Sequence, residues 1–200
     1  MKITVLGANG KTGVELVKQA VNAGHTVTGV VRKDDAKNNP KALYVVGDAT
    51  DIQTVIDASA GSDAIISVLG GTNMSLITSA MKAVVASSKT TGVKRVILMS
   101  SFAVETEKLQ GLAKLIGIAG KKMINDKATG EDLLRKSDLD WTIVYATVLT
   151  NEQKSSRVRV VPSDEKISMK NKIARADVAT WILNEVENNE HVKEDVTISR

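Results

Sequence analysis

Near its N-terminus the chain reads Gly7-Ala8-Asn9-Gly10-Lys11-Thr12-Gly13, between a run typical of a buried strand, Lys2–Leu6, and a helical pattern, Lys11–Ala23. Glycine at every third position suits a tight turn, a close approach of the backbone to a pyrophosphate, and close packing of a helix on a sheet. Backbone N–H groups at the start of such a helix attract anions. The turn therefore predicts a dinucleotide site that includes Gly7, Asn9, Gly10, Lys11, Thr12 and Gly13. The alternative is an ordinary strand-to-helix turn with incidental glycines.

Short apolar runs and helical patterns alternate along the rest of the chain. Further strands are predicted over His25–Arg32, Ala42–Gly47, Asp63–Leu69, Val93–Met99, Trp141–Val148 and Val196–Ser199. Further helices are predicted over Asp51–Ala60, Asn73–Thr90, Asn125–Ser137 and Arg175–Glu187, with Asp51 as an N-cap. This alternation indicates βαβ units. We expect a single α/β domain over residues 1–200, a Rossmann-type, doubly wound, mostly parallel sheet with helices on both faces.

The end of the second predicted strand bears on the choice of dinucleotide. A free ribose 2′-hydroxyl usually meets an acidic residue about 20 residues beyond the glycines, but this chain has Arg32 and Lys33 there. An arginine can hold a 2′-phosphate through charge-assisted hydrogen bonds, and Lys11 could add a second positive charge. This pattern favours NADP(H). Asp34 and Asp35 keep NAD(H) open, and Arg32 could instead be a solvated charge.

Two further strand ends are candidates for the adenosine side of the cofactor. The third predicted strand ends in Gly47-Asp48-Ala49-Thr50-Asp51, where Asp48 could accept from the adenine amino group or simply form a turn. The fourth ends in Val68-Leu69-Gly70-Gly71, where glycines suit a close backbone approach or any tight turn. The candidates here are Asp48, Ala49, Val68, Leu69 and Gly70.

Composition excludes several classes of site. The 200 residues contain no cysteine, which rules out disulfides, cysteine metal centres and a thiol nucleophile. The two histidines, His25 and His191, are far apart, so we expect no metal site. No stretch approaches the ~20 apolar residues of a membrane span, and we expect a cytoplasmic protein without a membrane partner. Five aromatic residues (two Trp, two Tyr, one Phe) are too few for a nucleic-acid stacking platform.

A basic stretch, Lys154–Arg175, holds seven basic and two acidic residues. It could attract an anionic acceptor such as a flavin phosphate, or a protein or nucleic-acid partner. A solvated surface is the commoner explanation of such a run.

These motifs together resemble the atypical short-chain dehydrogenase/reductase group. The resemblance is closest to its compact NAD(P)H-binding subgroup, which includes the NmrA-like proteins and the small flavin and biliverdin reductases. It is carried by the glycine turn, Val31-Arg32, Gly47–Asp51, Arg95–Ser101, Leu139–Val144 and Ile173–Ala179.

The chain departs from the wider group on the substrate side. Many relatives use Tyr-x-x-x-Lys, in which the tyrosine gives a proton to a carbonyl. Lys127 resembles the lysine of that motif, but Met123 occupies the tyrosine position. Where relatives often carry Arg-Pro-Gly, this chain has Tyr145-Ala146-Thr147.

The resemblance implies an NAD(P)H-dependent oxidoreductase. Without the tyrosine, an ordinary carbonyl would lack its proton donor, whereas a flavin or quinone spreads the charge over a conjugated ring and can take its proton from water. We therefore expect hydride transfer to a small-molecule acceptor of this kind, with flavin as a substrate. The candidate catalytic residues are Ser100, Ser101, Lys127 and Tyr145. The alternative is a non-catalytic redox sensor of the NmrA-like type, and the choice between monomer and homodimer stays open.

Overall fold

The fold is known from a computed structural model that describes residues 1–34, 38–71, 75–113, 120–155 and 157–200. The strands are β1 (Lys2–Leu6), β2 (Thr26–Val31), β3 (Leu43–Val46), β4 (Ala64–Ser67), β5 (Arg95–Ser101), β6 (Asp140–Ala146), β7 (Val148–Thr150), β8 (Arg159–Val160), β9 (Lys172–Ala174) and β10 (Glu194–Ser199). The α-helices are α1 (Lys11–Asn22), α2 (Ile52–Ser59), α3 (Leu76–Thr91), α4 (Lys121–Arg135) and α5 (Arg175–Asn188). Two 3₁₀ turns, Phe102–Val104 and Thr106–Lys108, follow β5.

The main sheet has the order β3-β2-β1-β4-β5-β6-β10-β8. Its neighbouring strands are parallel except for β8, which runs antiparallel to β10. β7 and β9 form a separate parallel pair. The order reverses at β1, which pairs with β2 on one side and with β4 on the other. The predicted α/β, doubly wound, mostly parallel sheet is therefore confirmed.

Helices cover both faces of this sheet. On one face α1 and α5 pack over Val5, Ile66, Ile97 and Val144, and on the other α2, α3 and α4 pack over Leu6, Ile65, Leu98 and Ile143. Consecutive strand residues point to opposite faces. Because both faces are covered, the strands read as nearly continuous apolar runs, which is why they were visible in the sequence.

The boundaries differ from the prediction where local signals are weak. The strand predicted over Trp141–Val148 ends at Ala146, and β7 begins after a break at Thr147. The helix predicted from Asn125 begins earlier, at Lys121. The short strands β8 and β9 lie in the basic stretch Lys154–Arg175, where no strand was predicted, since two or three residues show no periodicity. Positions 73 and 74, where a helix was predicted to begin, lie outside the described residues.

Within the described ranges, no helix combines the length and the apolar character needed to cross a membrane. Location in the cytoplasm stays a prediction.

Candidate functional site

A cleft of about 560 Å³ lies at the carboxyl ends of the parallel strands β1 to β4. Most of the residues predicted to bind a dinucleotide line it together. They are Gly7, Asn9, Gly10, Arg32, Asp48, Ala49, Val68, Leu69 and Gly70. The cleft coincides with the reversal of strand order at β1. Ligands of doubly wound sheets bind at such a point.

The glycine turn fits its predicted role by its own geometry. Gly7 has a φ of +87°, a left-handed conformation that favours glycine. The N–H of Gly10 donates to the carbonyl oxygen of Gly7 at 3.0 Å, which closes the turn. A Cβ atom at Gly13 would lie 2.1 Å from that same carbonyl oxygen. The turn therefore needs glycine at Gly7 for its backbone and at Gly13 for the packing of α1 beneath it.

The start of α1 suits an anion. Gly10 is the N-cap residue and has no side chain to satisfy the first-turn N–H groups. Lys11 is exposed at the first helical position, while Thr12 and Gly13 are buried behind the turn. These three predicted residues do not line the cleft, whereas Gly7, Asn9 and Gly10 of the same turn do.

Arg32 lies in the same cleft, directly after β2. Its side chain is exposed, and within the described ranges it has no ion pair and no side-chain hydrogen bond. The guanidinium therefore remains available to an anionic group. Of the two acidic residues that kept NAD(H) open, Asp34 is not among the residues that line the cleft, and Asp35 lies outside the described residues.

Asp48 forms the turn that the sequence allowed, and it also lines the cleft. Its Oδ1 accepts from the backbone N–H and the hydroxyl of Thr50, both at 2.8 Å, which forms a local turn. The residue also lines the cleft. One carboxylate oxygen therefore holds the turn, and the other is not used by a hydrogen bond in the described part of the chain.

Two of the predicted catalytic residues, Ser100 and Tyr145, share one buried carboxylate near the carboxyl ends of β5 and β6. We call this region the acceptor side. The two residues are paired in register on β5 and β6. The Ser100 hydroxyl donates to Oε1 of Glu131 at 2.6 Å, and the Tyr145 hydroxyl donates to Oε2 at 2.7 Å. Arg135 donates to the Tyr145 oxygen at 2.7 Å. Burial, together with the negative charge of Glu131, raises the pKa of Tyr145 well above its ordinary value. This arrangement does not suit Tyr145 to proton donation, one role that a catalytic tyrosine could have.

The other two catalytic candidates differ in their surroundings. Lys127 is half-buried on α4, one turn before Glu131; burial lowers its pKa, while Glu131 and Asp126 oppose that shift. Ser101 is also half-buried, and its Oγ accepts from the N–H of Ala103 at 3.3 Å. Ser101 therefore caps the turn that follows β5, the structural role that strand-end serines often have.

The sequence did not point to Glu131, Arg135 or Asp126. Glu131 is four residues after Lys127, a spacing that places both on one face of the helix. That spacing was the available signal, but glutamates on helices are usually exposed. Glu131 is instead 0% exposed. The cleft-lining residues Ser75, Leu76 and Ser79 were also missed.

A larger groove, about 720 Å³, lies between α1 and α5. Side chains such as Lys18, Asn22, Asn184 and Glu187 line it. It has no lining residue in common with the cleft. We favour the cleft because its walls are backbone at strand ends and because it contains the glycine turn.

Two arginines of the basic stretch make local side-chain contacts. Arg159 forms two hydrogen bonds to Glu165, at 2.7 and 2.6 Å, and Arg175 donates to Asn151 at 2.7 Å. Its residues do not line the cleft. A solvated surface stays our interpretation of this stretch. Within the ranges given above, no group of three or more His, Asp or Glu side chains is placed to hold a metal ion.

The family model described as NAD(P)H-binding matches residues 7–189. The chain belongs to the NAD(P)H-binding family. This NAD(P)H-binding protein thus has a nicotinamide dinucleotide as its cofactor class. The cleft provides residues that fit one: an uncapped helix start, a turn that requires glycine, and an arginine that has no ion pair among the described residues. The resemblance found in the sequence is confirmed.

Solved structures share the fold of this NAD(P)H-binding protein. The oxidoreductase ylbE from Lactococcus lactis has a TM-score of 0.85 and 24% identity, with 99% of this chain and 90% of that chain covered. ChuY from Escherichia coli, called an anaerobillin reductase, has a TM-score of 0.85 and 23% identity, with 99% and 96% covered. A short-chain dehydrogenase/reductase from Veillonella parvula in complex with NADP has a TM-score of 0.83 and 15% identity, with 100% and 94% covered.

Proposed function

We propose that this protein is an NADPH-dependent reductase that transfers a hydride to a flavin, a quinone or a similar conjugated acceptor. The observation that carries the proposal is that the acceptor side lacks a tyrosine proton donor. The Tyr145 hydroxyl donates its hydrogen bond to Glu131, and Met123 takes the place of a tyrosine four residues before Lys127. Among the described residues, which include both tyrosines of the chain, no tyrosine hydroxyl is therefore placed there to protonate an ordinary carbonyl.

Arg32 supports the preference for NADPH. Its guanidinium shares the cleft with the glycine turn. A phosphate on the adenosine ribose would give this cation a dianionic partner, which NADH lacks. Asp48, on the neighbouring strand end, has one oxygen left for the adenine amino group.

The acceptor class follows from proton supply. When bound, NADPH supplies a hydride, its two electrons reduce the acceptor, and water completes the reduced acceptor with a proton. Lys127 is a half-buried cation on α4, the helix that also carries Glu131. It would attract the negative charge that forms on a flavin or quinone ring. The structural neighbour called an anaerobillin reductase supports the idea that this fold can serve a reductase.

The proposal is tested by following NADPH oxidation with a panel of acceptors on one sample. FMN, riboflavin and a soluble quinone are expected to be reduced, whereas simple aldehydes and ketones are not. NADH in place of NADPH is expected to give a higher KM. Reduction of simple ketones at rates equal to those of flavin would contradict the assigned acceptor class.

A second candidate function is favoured by the same observation, since a protein without the tyrosine proton donor is also suited to binding a dinucleotide without turnover. In that case NADPH binds tightly, no acceptor is reduced, and a protein partner binds with an affinity that depends on the cofactor. Turnover in the acceptor panel separates this redox sensor from the reductase.

A further inference from the structure

We infer that Glu131 is a positioning residue that turns the Ser100 hydroxyl into a hydrogen-bond acceptor for the nicotinamide end of the cofactor. This inference rests on the proposed function, because it needs the dinucleotide to extend from the glycine turn to the end of β5. Glu131 itself is buried and acts through Ser100.

The carboxylate of Glu131 is saturated by donors from two strands and its own helix. Oε1 accepts from Ser100 at 2.6 Å, and Oε2 accepts from Tyr145 at 2.7 Å and from Arg135 at 3.2 Å. The Ser100 and Tyr145 hydroxyls and the Arg135 guanidinium are all donors to this carboxyl group, so both of its oxygens act as acceptors.

This fixes the direction of the Ser100 hydroxyl. A serine has one proton and two lone pairs, and the proton of Ser100 points to Glu131. Only the lone pairs remain for a ligand. Ser100 can thus accept from the amide N–H of a nicotinamide carboxamide, but it cannot donate to the oxygen of a carbonyl substrate.

Tyr145 is held in the same way. Its proton goes to Glu131, and its oxygen accepts from Arg135, which also binds Asp195 at 3.0 Å. The half-buried guanidinium of Arg135 therefore joins the buried anion to a carboxylate at the surface. Because the hydroxyl protons of Ser100 and Tyr145 both point to Glu131, neither hydroxyl can donate to an acceptor molecule. This favours acceptors that need no proton from these hydroxyl groups.

A purely structural role for Glu131, that of tying α4 to β5 and β6, makes a different prediction. In that case Glu131→Gln would lower the affinity for every ligand by the same factor, or would lower only the stability of the fold. The positioning role affects the nicotinamide half of the cofactor and leaves the adenosine half unchanged. A ligand pair that differs by the nicotinamide separates the two roles.

The experiment measures the dissociation constants of NADPH and of 2′-phospho-ADP-ribose, which lacks the nicotinamide, for the wild type, Glu131→Gln, Ser100→Ala and the double variant. The amide of Glu131→Gln presents an N–H group on one side, so the Ser100 proton is no longer held in its original direction. We expect NADPH to bind about tenfold more weakly to each single variant, the size of one hydrogen bond. We expect the fragment to bind as before, and the double variant to be no weaker than Ser100→Ala.

Asp132→Asn is the matched control. Asp132 lies next to Glu131 on α4, is exposed and also pairs with Arg135, at 3.0 Å. It is expected to leave the affinities of both ligands unchanged.

Equal losses for NADPH and the fragment in Glu131→Gln, or additive losses in the double variant, would overturn the inference. If Glu131→Gln does not fold, Ser100→Ala still decides: an unchanged ratio of the two dissociation constants overturns it. If the wild type binds neither ligand, the proposed function and this inference both fail. If it binds both but the variants show no selective loss, the inference alone fails.

Discussion

The carboxylate of Asp126, on α4, accepts a hydrogen bond at 2.9 Å from the backbone N–H of Ile77, in the first turn of α3. The next amide, Thr78, donates to the same carboxylate at 3.0 Å. Ser75, the N-cap residue of α3, makes no side-chain capping bond, so the cap is supplied by another helix. The first residues of α3 line the cleft, and Asp126 adjoins Lys127 on α4. The contact therefore connects the helix that borders the cleft to the helix that carries Lys127 and Glu131.

Asp126→Ala is expected to lower the free energy of unfolding by about 1–2 kcal/mol, since it removes the acceptor of the backbone N–H groups of Ile77, which is buried, and of Thr78. Urea denaturation measures the change. Asn125→Ala, at an exposed position of the same helix, is the control and is expected to change stability by less than about 0.5 kcal/mol. Similar values for the two variants would mean that the interhelical cap contributes little.

Arg32→Ala is expected to weaken the binding of NADPH by about 1.5–3 kcal/mol, the value of a hydrogen bond to a charged group, and to leave the binding of NADH nearly unchanged. Titration of both dinucleotides gives the two dissociation constants. Lys33→Ala removes an adjacent exposed cation and serves as the control. If Arg32→Ala weakened NADH as much as NADPH, Arg32 would have no role at the 2′-phosphate.

Tyr145→Phe separates a proton donor from a structural hydroxyl. We expect the free energy of unfolding to fall by about 1–3 kcal/mol, because Glu131 and Arg135 both lose a buried partner. We expect kcat for flavin reduction to fall by far less than the roughly 100- to 10,000-fold loss typical of a general acid. A loss of kcat of that size in a folded Tyr145→Phe variant would show that Tyr145 acts as the proton donor.

Asp51 provides a pH-dependent contribution to stability. The backbone N–H of Thr54, at 2.9 Å, and its hydroxyl, at 2.8 Å, donate to the Asp51 carboxylate and hold its pKa below the ordinary value of 3.8. A group whose pKa is lower in the folded state stabilises the fold above its unfolded-state pKa, and this contribution is lost as the pH falls through the folded-state value.

The difference in free energy of unfolding between the wild type and Asp51→Ala is therefore expected to be largest near neutral pH and to shrink in acid. Denaturation curves over a pH series measure it. Glu194→Ala, an exposed position on a strand, provides the comparison. A difference that grows as the pH falls would contradict the sign of this effect.

The local features of the site were predictable because each is encoded within a few neighbouring residues. Gly7 and Gly13 mark a turn whose backbone excludes other side chains, and Asp51 followed by Thr54 marks a helix start. Arg32 was recognised from its position at the end of an apolar run. In each case the geometry depends on the conformation of one short segment.

The acceptor side could not be predicted in the same way. Ser100, Glu131 and Tyr145 lie on three different elements, and they meet because β5 pairs with β6 in a register that places Ser100 opposite Tyr145. A charged residue on a helix is usually solvated, and nothing near Glu131 in the sequence reveals that its side chain is covered.

The amino-acid order alone therefore specified the alternation of strands and helices, the glycine turn and the candidate cation Arg32, since periodicity and backbone conformation act over short distances. The partners of Glu131, and with them the direction of the Ser100 proton, were settled by the packing of α4 on β5 and β6. Burial in that packing makes an unpaired charge too costly, so the fold had to bring donors to Glu131 from elements far apart in the chain.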